Sequence, residues 1–506
     1  MRQSKEKPLN SREVSRDVFS ATRNRFSVLA SRSERTLCLD LVILASTVSV
    51  VTGFILAHYY SVDVLTSLIV FLPADCYADW GLNVGRHCFS DYAIVVDVGL
   101  RANPWNPSSL RIPPDFQRAA SNYPAAGMVP QVLFGLIGTW LGAPRIGLLG
   151  YLIAMTVAVL SPAVWAARGT NGAERILLFV ACGFAAIPAW VVIDRGNAVG
   201  FVVPIALVFL IALCRERWGL AAVMVVLAAL VKPQFAVLVV VLLAARQWRT
   251  GGIAVAGVFL SNLAAYMLWP RDFPHTIMQS VRNTVGYSGA SQAATVEGSN
   301  ASFGKALLAI PDGIKAQQSG GKIPEDFLAE TRSLIGYILL LLVVVIVVAL
   351  GKRIPPVMAG IVVLATASLF PALSNPYYLV FVLPVAAVVV RDPDGPPGSG
   401  IFDRPGTVGG SRRAVGVVVA VATALSIAQI PLPSAMRRVV QSGTDVVLIL
   451  VDSTMSLAPM LWLIALPTIL VSYARRSGSE AACGEPARQD DPPTAEETPV
   501  ESEKIT

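Results

Sequence analysis

The sequence predicts an all-α polytopic membrane protein, and three observations predict it. The 506 residues are 54% hydrophobic and 14% charged, with a mean hydropathy of +0.61, too apolar for a soluble chain of this size. The apolar residues gather into runs, several of them as long as the roughly 20 residues a helix needs to cross about 30 Å of hydrocarbon. Lys and Arg fall in short clusters between those runs. The net charge of +7 is therefore a topology signal and not a nucleic-acid footprint.

Residues 1–38 form a basic, Arg- and Ser-rich tail without an apolar stretch. That is the wrong order of regions for a cleaved signal peptide, so 39–60 reads as an uncleaved first span leaving a cytoplasmic N-terminus. The segment 61–145 then forms a long extracytoplasmic loop. Its apolar pieces, 62–72 and 125–141, are short for spans and read as helices on the membrane surface. Further runs follow at 146–167, 175–193, 197–213, 219–231, 234–245, 253–269, 334–350, 356–373, 377–390, 413–431 and 446–473. Threaded alternately, they put Arg168/Arg175, Arg215/Arg217, Arg246/Arg249, Lys352/Arg353, Arg412/Arg413 and Arg475/Arg476 on one side of the membrane. The expectation is about twelve transmembrane helices with both termini inside.

The chain thus divides into the N-terminal tail, a membrane domain over 39–390, a Pro/Gly-rich cytoplasmic linker over 391–412, C-terminal spans over 413–473 and an acidic, Pro-rich tail over 474–506 that is expected to be disordered. Cys182 and Cys214 stand in apolar runs as small buried hydrophobes. Cys76 and Cys88 share the first loop, and whether they form a disulfide stays open. With three His and no cluster of Cys, His and carboxylates, no metal site and no cofactor is expected.

With this topology the outer ends of the spans collect a set of polar groups. Asp91, in Ser90-Asp91-Tyr92, lies in the first loop, where Asp75, Asp79 and Asp97 are rival carboxylates. Asp194-Arg195-Gly196-Asn197, Lys232-Pro233-Gln234, Ser299-Asn300-Ala301-Ser302 and Ser374-Asn375-Pro376-Tyr377-Tyr378 join later runs. The runs flanking Lys232 are too short to cross unaided, so its ammonium stands below the outer interface, where a cation must line a wet or paired cavity. Held there, Lys232 suits the phosphate of a lipid, and Arg195 adds a bidentate contact. A carboxylate base opposite a cationic pocket is what sugar transfer from a phosphate to a hydroxyl requires.

In order along the chain, Asp91-Tyr92, Asn103-Pro104-Trp105, Tyr123-Pro124-Ala125, Arg195-Gly196-Asn197, Lys232-Pro233-Gln234, Asn300-Ala301-Ser302 and Ser374-Asn375-Pro376 resemble the motifs of the membrane glycosyltransferases of the GT-C fold, family GT87. Ala125 replaces the second Pro of the family's Tyr-Pro-Pro, and Asn197 the Gln of its Gly-Gln. The resemblance implies transfer of a sugar, mannose or arabinofuranose, from a polyprenyl-phosphate donor to a cell-envelope glycan or glycolipid, on the extracytoplasmic face of a bacterial plasma membrane. Asp91 would be the base; Lys232 and Arg195 would hold the donor phosphate. Asn197, Gln234, Asn300, Tyr123 and Tyr377 would contact sugar or acceptor, with Trp105 a second stacking ring. The expected partners are the bilayer, the lipid-linked donor and the acceptor, with no nucleic acid. The competing class is a transporter or flippase of lipid-linked sugars, which would spread polar groups through the bilayer depth and usually carry an internal repeat.

Overall fold

The computed structural model describes residues 33–69, 89–107, 111–112, 117–118, 120–290, 295–403, 412–434, 436–440 and 447–475. Asp75, Asp79, Cys76, Cys88 and most of both expected tails lie outside the described residues.

Helix α1 (Glu34–Tyr60) begins behind Ser33, whose Oγ accepts the Thr36 N–H at 3.3 Å, and stops at Ser61 in the left-handed region. Its 27 residues extend about 40 Å, enough to cross a bilayer. After the short α2 (Val64–Ile69) and α3 (Ser90–Gly99), β1 (Arg111–Ile112) pairs with β2 (Gln117–Arg118). Helices α4 (Ala125–Trp140) and α5 (Pro144–Ala167) form an antiparallel hairpin in close contact at Gly138 and Gly147. A Cβ on Gly147 would stand 2.4 Å from the Phe134 carbonyl oxygen. Helix α6 (Gly172–Phe179) continues through a π turn, Val180–Phe184, and meets α7 (Ile187–Arg195) at 47°.

Next come α8 (Val202–Cys214), α9 (Trp218–Val231), α10 (Val239–Ala244) and α11 (Trp248–Tyr266). The shorter α12 (His275–Ala290), α13 (Phe303–Leu307) and α14 (Ala309–Gln318) lead into α15 (Ala329–Leu350), α16 (Pro356–Leu369) and α17 (Val382–Val390). Helix α18 (Arg413–Ile427), the hairpin of β3 (Arg437–Val440) with β4 (Val447–Leu450), and α19 (Leu457–Ala474) complete the described fold.

By length and composition α1, α5, α15 and α19 can each cross a membrane alone, and the bent pair α6–α7 makes a fifth. The central helices differ. Every residue of α17, and every residue of α16 from Val357 to Leu369, is buried. A helix apolar all round belongs inside a bundle, so these short runs pack against protein while the long helices carry exposed apolar surface.

Three expectations change. Asp91 stands in the first turn of α3 and not in a loop, where a carboxylate is favoured by the partial positive charge of the helix N-terminus. The run 446–473 is two elements, a strand and then α19, because a short β-branched apolar stretch satisfies strand and helix alike. Residues 391–403 are a folded hook and not a spacer: Arg215 Nε donates to Asp394 at 2.7 Å, the Asp392 N–H donates to Ser399 O at 2.7 Å, and the Arg391 guanidinium lies 4.5 Å from the Trp165 ring.

Candidate active site

The site is assembled where three helix ends meet. Helix α7 terminates at Arg195 because Gly196 adopts φ +67, the left-handed C-cap that glycine reaches without a Cβ clash. A Cβ there would stand 2.9 Å from the Tyr92 Cβ. The bare turn therefore lets the chain close onto α3. Tyr151 of α5 fixes it from behind, its hydroxyl donating to Gly196 O at 2.9 Å. Tyr151 lies about 10 Å inside the N-terminal end of α5, counting its rise from Pro144. The turn is recessed in the bundle, not perched on its tip.

Asn197, fully buried, accepts the Val199 N–H at its Oδ1 (3.0 Å). That leaves the Nδ2 hydrogens for Asp91, whose Oδ2 accepts one at 2.6 Å. Arg195 Nε stands 3.2 Å from the other carboxylate oxygen. Asp91 is thus gripped from both oxygens, yet each oxygen has two lone pairs and keeps one for an incoming hydroxyl.

Lys232 ends α9, where its extended backbone and Pro233 interrupt the helix. The residue is 6% exposed, and its ammonium lies 4.1 Å from the Tyr123 ring centroid and 5.9 Å from that of Tyr378. Among the described residues no acceptor is hydrogen-bonded to it. Two ring faces hold this cation by their negative quadrupole, and its donors remain available to an anion. Tyr123 links the two halves, since Asn197 Nδ2 also stands 3.4 Å from its hydroxyl.

Tyr123 is itself clamped. Trp105 Nε1 donates to Tyr123 O at 2.9 Å, Ser121 Oγ accepts the Tyr123 N–H at 3.1 Å, and Asn283 Nδ2 of α12 donates to Trp105 O at 3.0 Å. Trp105 is 1% exposed between Tyr266 and Trp269. It supports Tyr123 and is not placed to stack on a sugar.

Asp91, Arg195, Asn197, Tyr123 and Lys232 therefore come together. Gln234, Asn300 and Tyr377 are turned to the frame instead. Gln234 donates to Ala367 O at 2.8 Å. Asn300 donates to Thr295 O (2.9 Å) and Ala372 O (2.8 Å), and accepts the N–H groups of Ser302 and Ser374 at 3.0 Å each, which fills its hydrogen-bonding capacity. Tyr377 is 5% exposed, and its hydroxyl accepts from Asn375 at 2.7 Å. Of the rival carboxylates, Asp97 pairs with Arg101. Two residues of the pocket escape the sequence reading: Tyr378 stands in the Tyr-Tyr pair without a role, and nothing local marks Tyr151.

An apolar cavity of about 990 Å³ opens between α1, α2 and the α6–α7 bend. Phe54, Leu65, Phe184 and Trp190 line it, and it reaches Phe89 and Asp194, close chain neighbours of Asp91 and Arg195. Among the described residues no group of three His, Cys, Asp or Glu could hold a metal ion.

Residues 123–371 match the model of glycosyltransferase family 87. No curated protein and no solved structure matches the chain. The matched stretch contains Tyr123, Arg195, Asn197 and Lys232, and Asp91 precedes it.

Proposed function

Residues 123–371 place the chain with glycosyltransferase family 87 over that stretch, and from that premise we propose that it moves mannose or arabinofuranose from a polyprenyl phosphate to a hydroxyl of a cell-envelope glycan or glycolipid. The reaction is assigned to the extracytoplasmic face of a bacterial plasma membrane. The observation that carries this reading is the placement of Asp91 and Lys232 on one recessed pocket, joined through Asn197 and Tyr123.

In this mechanism the acceptor hydroxyl lies against Asp91, which takes its proton as the oxygen attacks the anomeric carbon of the donor sugar. The anomeric carbon–oxygen bond to phosphate breaks on the opposite side. The released polyprenyl phosphate carries the charge that Lys232 and Arg195 stabilise, and a single displacement inverts the anomeric centre. Asn197 and Arg195 hold the carboxylate so that its free lone pairs face the acceptor, which supplies the orientation that general-base catalysis needs. Tyr123 supplies a ring face for the sugar beside the cation. The apolar cavity supports a lipid-linked donor, because it reaches Phe89 and Asp194, chain neighbours of Asp91 and Arg195, and offers room for an isoprenoid chain.

The test is transfer of radiolabel from polyprenyl-phospho-mannose, and separately from polyprenyl-phospho-arabinose, to membrane glycolipid. Wild type should use one donor, and Asp91→Asn at matched expression should lose about 10²–10⁴-fold in rate, the usual worth of a general base. An undiminished Asp91→Asn would remove Asp91 from the role. Use of neither donor by wild type would bring the transport reading forward.

A further inference from the structure

Helix α14 is amphipathic in the inverted sense. Its one carboxylate, Asp312, is 3% exposed and points into the protein, where Arg332 donates to its two oxygens at 2.5 and 3.1 Å and Lys305 donates at 2.8 Å. The opposite face carries Leu307 from the end of α13, then Ile310 and Ile314, exposed by 51%, 77% and 54%. Ile310 and Ile314, four residues apart on α14, share one face, which the exposed Gln317 continues, and Leu307 precedes them across the turn at Leu308. A helix in water would be turned the other way.

We propose that α14 lies in the plane of the membrane, with the stripe Leu307, Ile310 and Ile314 sunk among the lipid headgroups and upper acyl chains at the end of the bundle that holds Asp91. The level of the helix supports a lipid occupant. Helix α15 has 22 residues, about 33 Å, the thickness of the hydrocarbon core. Arg332 stands in its first turn. The ion pair from Arg332 to Asp312 therefore holds α14 at the boundary of the span. Leu334, Tyr337 and Ile338, exposed within the next two turns of α15, continue the apolar surface into the region that faces acyl chains. Burying an apolar stripe at this depth, with the polar face elsewhere satisfied, is how interfacial helices bind.

The attachment reaches the pocket. Ser302 opens α13, and Asn300 Oδ1 accepts the N–H groups of both Ser302 and Ser374, four residues before Tyr378 above Lys232. The depth of α14 in the lipid is thus tied to the depth of Lys232, which sets the phosphate site against the headgroup layer. The membrane contact does not depend on the sugar-transfer reading, so it can fail without it.

The experiment places a thiol-reactive fluorophore on Ile310→Cys and, separately, on Ile314→Cys of the full chain, in a background without other reactive thiols. The chain is reconstituted in vesicles of phosphatidylcholine and phosphatidylglycerol. Nitroxide on the upper acyl chain should quench both labels several-fold more strongly than aqueous iodide does. Quenching by iodide alone would put the helix in water and overturn the proposal. Protection from both quenchers, with disulfide cross-linking between two copies of the unlabelled Ile310→Cys variant, would assign the stripe to a second copy of the chain and overturn it as well.

Discussion

Asn197 donates to Asp91 across 2.6 Å although the two are 106 residues apart, and the direction of that amide is settled by Val199, whose N–H occupies the other end. Asn197→Ala removes one of the two groups that orient the carboxylate and leaves its charge in place. The expected result is a fall in kcat of about tenfold to a hundredfold, the cost of a misoriented reacting group. Because Asn197 also caps the turn that opens α8, a loss of about 0.5–2 kcal/mol in stability should accompany it. Steady-state transfer kinetics and a thermal melt measure the two effects separately. An unchanged kcat with a lowered melt would reduce Asn197 to a cap.

Lys232 is a buried cation that rests on two ring faces, with the charge of Asp91 acting on it without a direct hydrogen bond. Lys232→Met keeps the length and removes the charge, so it should leave stability unchanged or raised, since a buried charge costs desolvation. Donor binding should weaken by about 10–100-fold, the worth of hydrogen bonds to a charged group. The measurement is the KM for lipid-linked donor against the KM for acceptor. A rise confined to the acceptor would take Lys232 away from the phosphate.

Trp105 touches the pocket only through Tyr123. Trp105→Phe keeps an aromatic ring among Tyr266 and Trp269 but removes the N–H that holds Tyr123 O. Transfer should slow on the order of tenfold, about 1.4 kcal/mol. In a Tyr123→Ala background the same substitution should cost almost nothing further, because the two act as one unit. Additive losses in the double variant would show that Trp105 works by another route.

The pocket was legible where sequence and backbone obey the same constraint. Asp91, Arg195, Asn197, Tyr123 and Lys232 each stand at a break between apolar runs, and a polar group in such a place needs a partner or a cavity. Gln234 and Asn300 stand at the same kind of break. The amide of Asn300 is consumed by the carbonyls of Thr295 and Ala372, and Gln234 gives one hydrogen to Ala367 O; a sequence displays donors without the backbone that will claim them. The helix around Asp91 was hidden for a similar reason: its N-cap is Phe89 in the left-handed region, with no Ser, Thr or Asn to announce it. The hook over 391–403 depends on Arg215, far away in sequence, which Pro/Gly composition cannot reveal.

The cluster of Asp312, Lys305 and Arg332 predicts a pH dependence of stability. Burial raises the affinity of the Asp312 carboxyl for its proton, but the hydrogen bonds from Arg332 and Lys305 outweigh burial and hold it below the usual carboxylate value. A group depressed in the folded state contributes stability above its unfolded pKa, near 4, and that contribution fades as pH falls through the lower folded value. Wild-type stability should therefore decline in acid below about pH 4. Asp312→Asn should lack this component of the decline and start lower at neutral pH, by about 3–5 kcal/mol, because fully buried Arg332 loses its counter-charge. Replacing the buried pair, Asp312→Leu with Arg332→Met, should recover part of that loss, with the partly exposed Lys305 keeping its bond to Val296 O. Thermal melts of the three proteins between pH 3 and 8 in one detergent test the set, and a pH profile in Asp312→Asn identical to wild type would refute the assignment to this carboxyl.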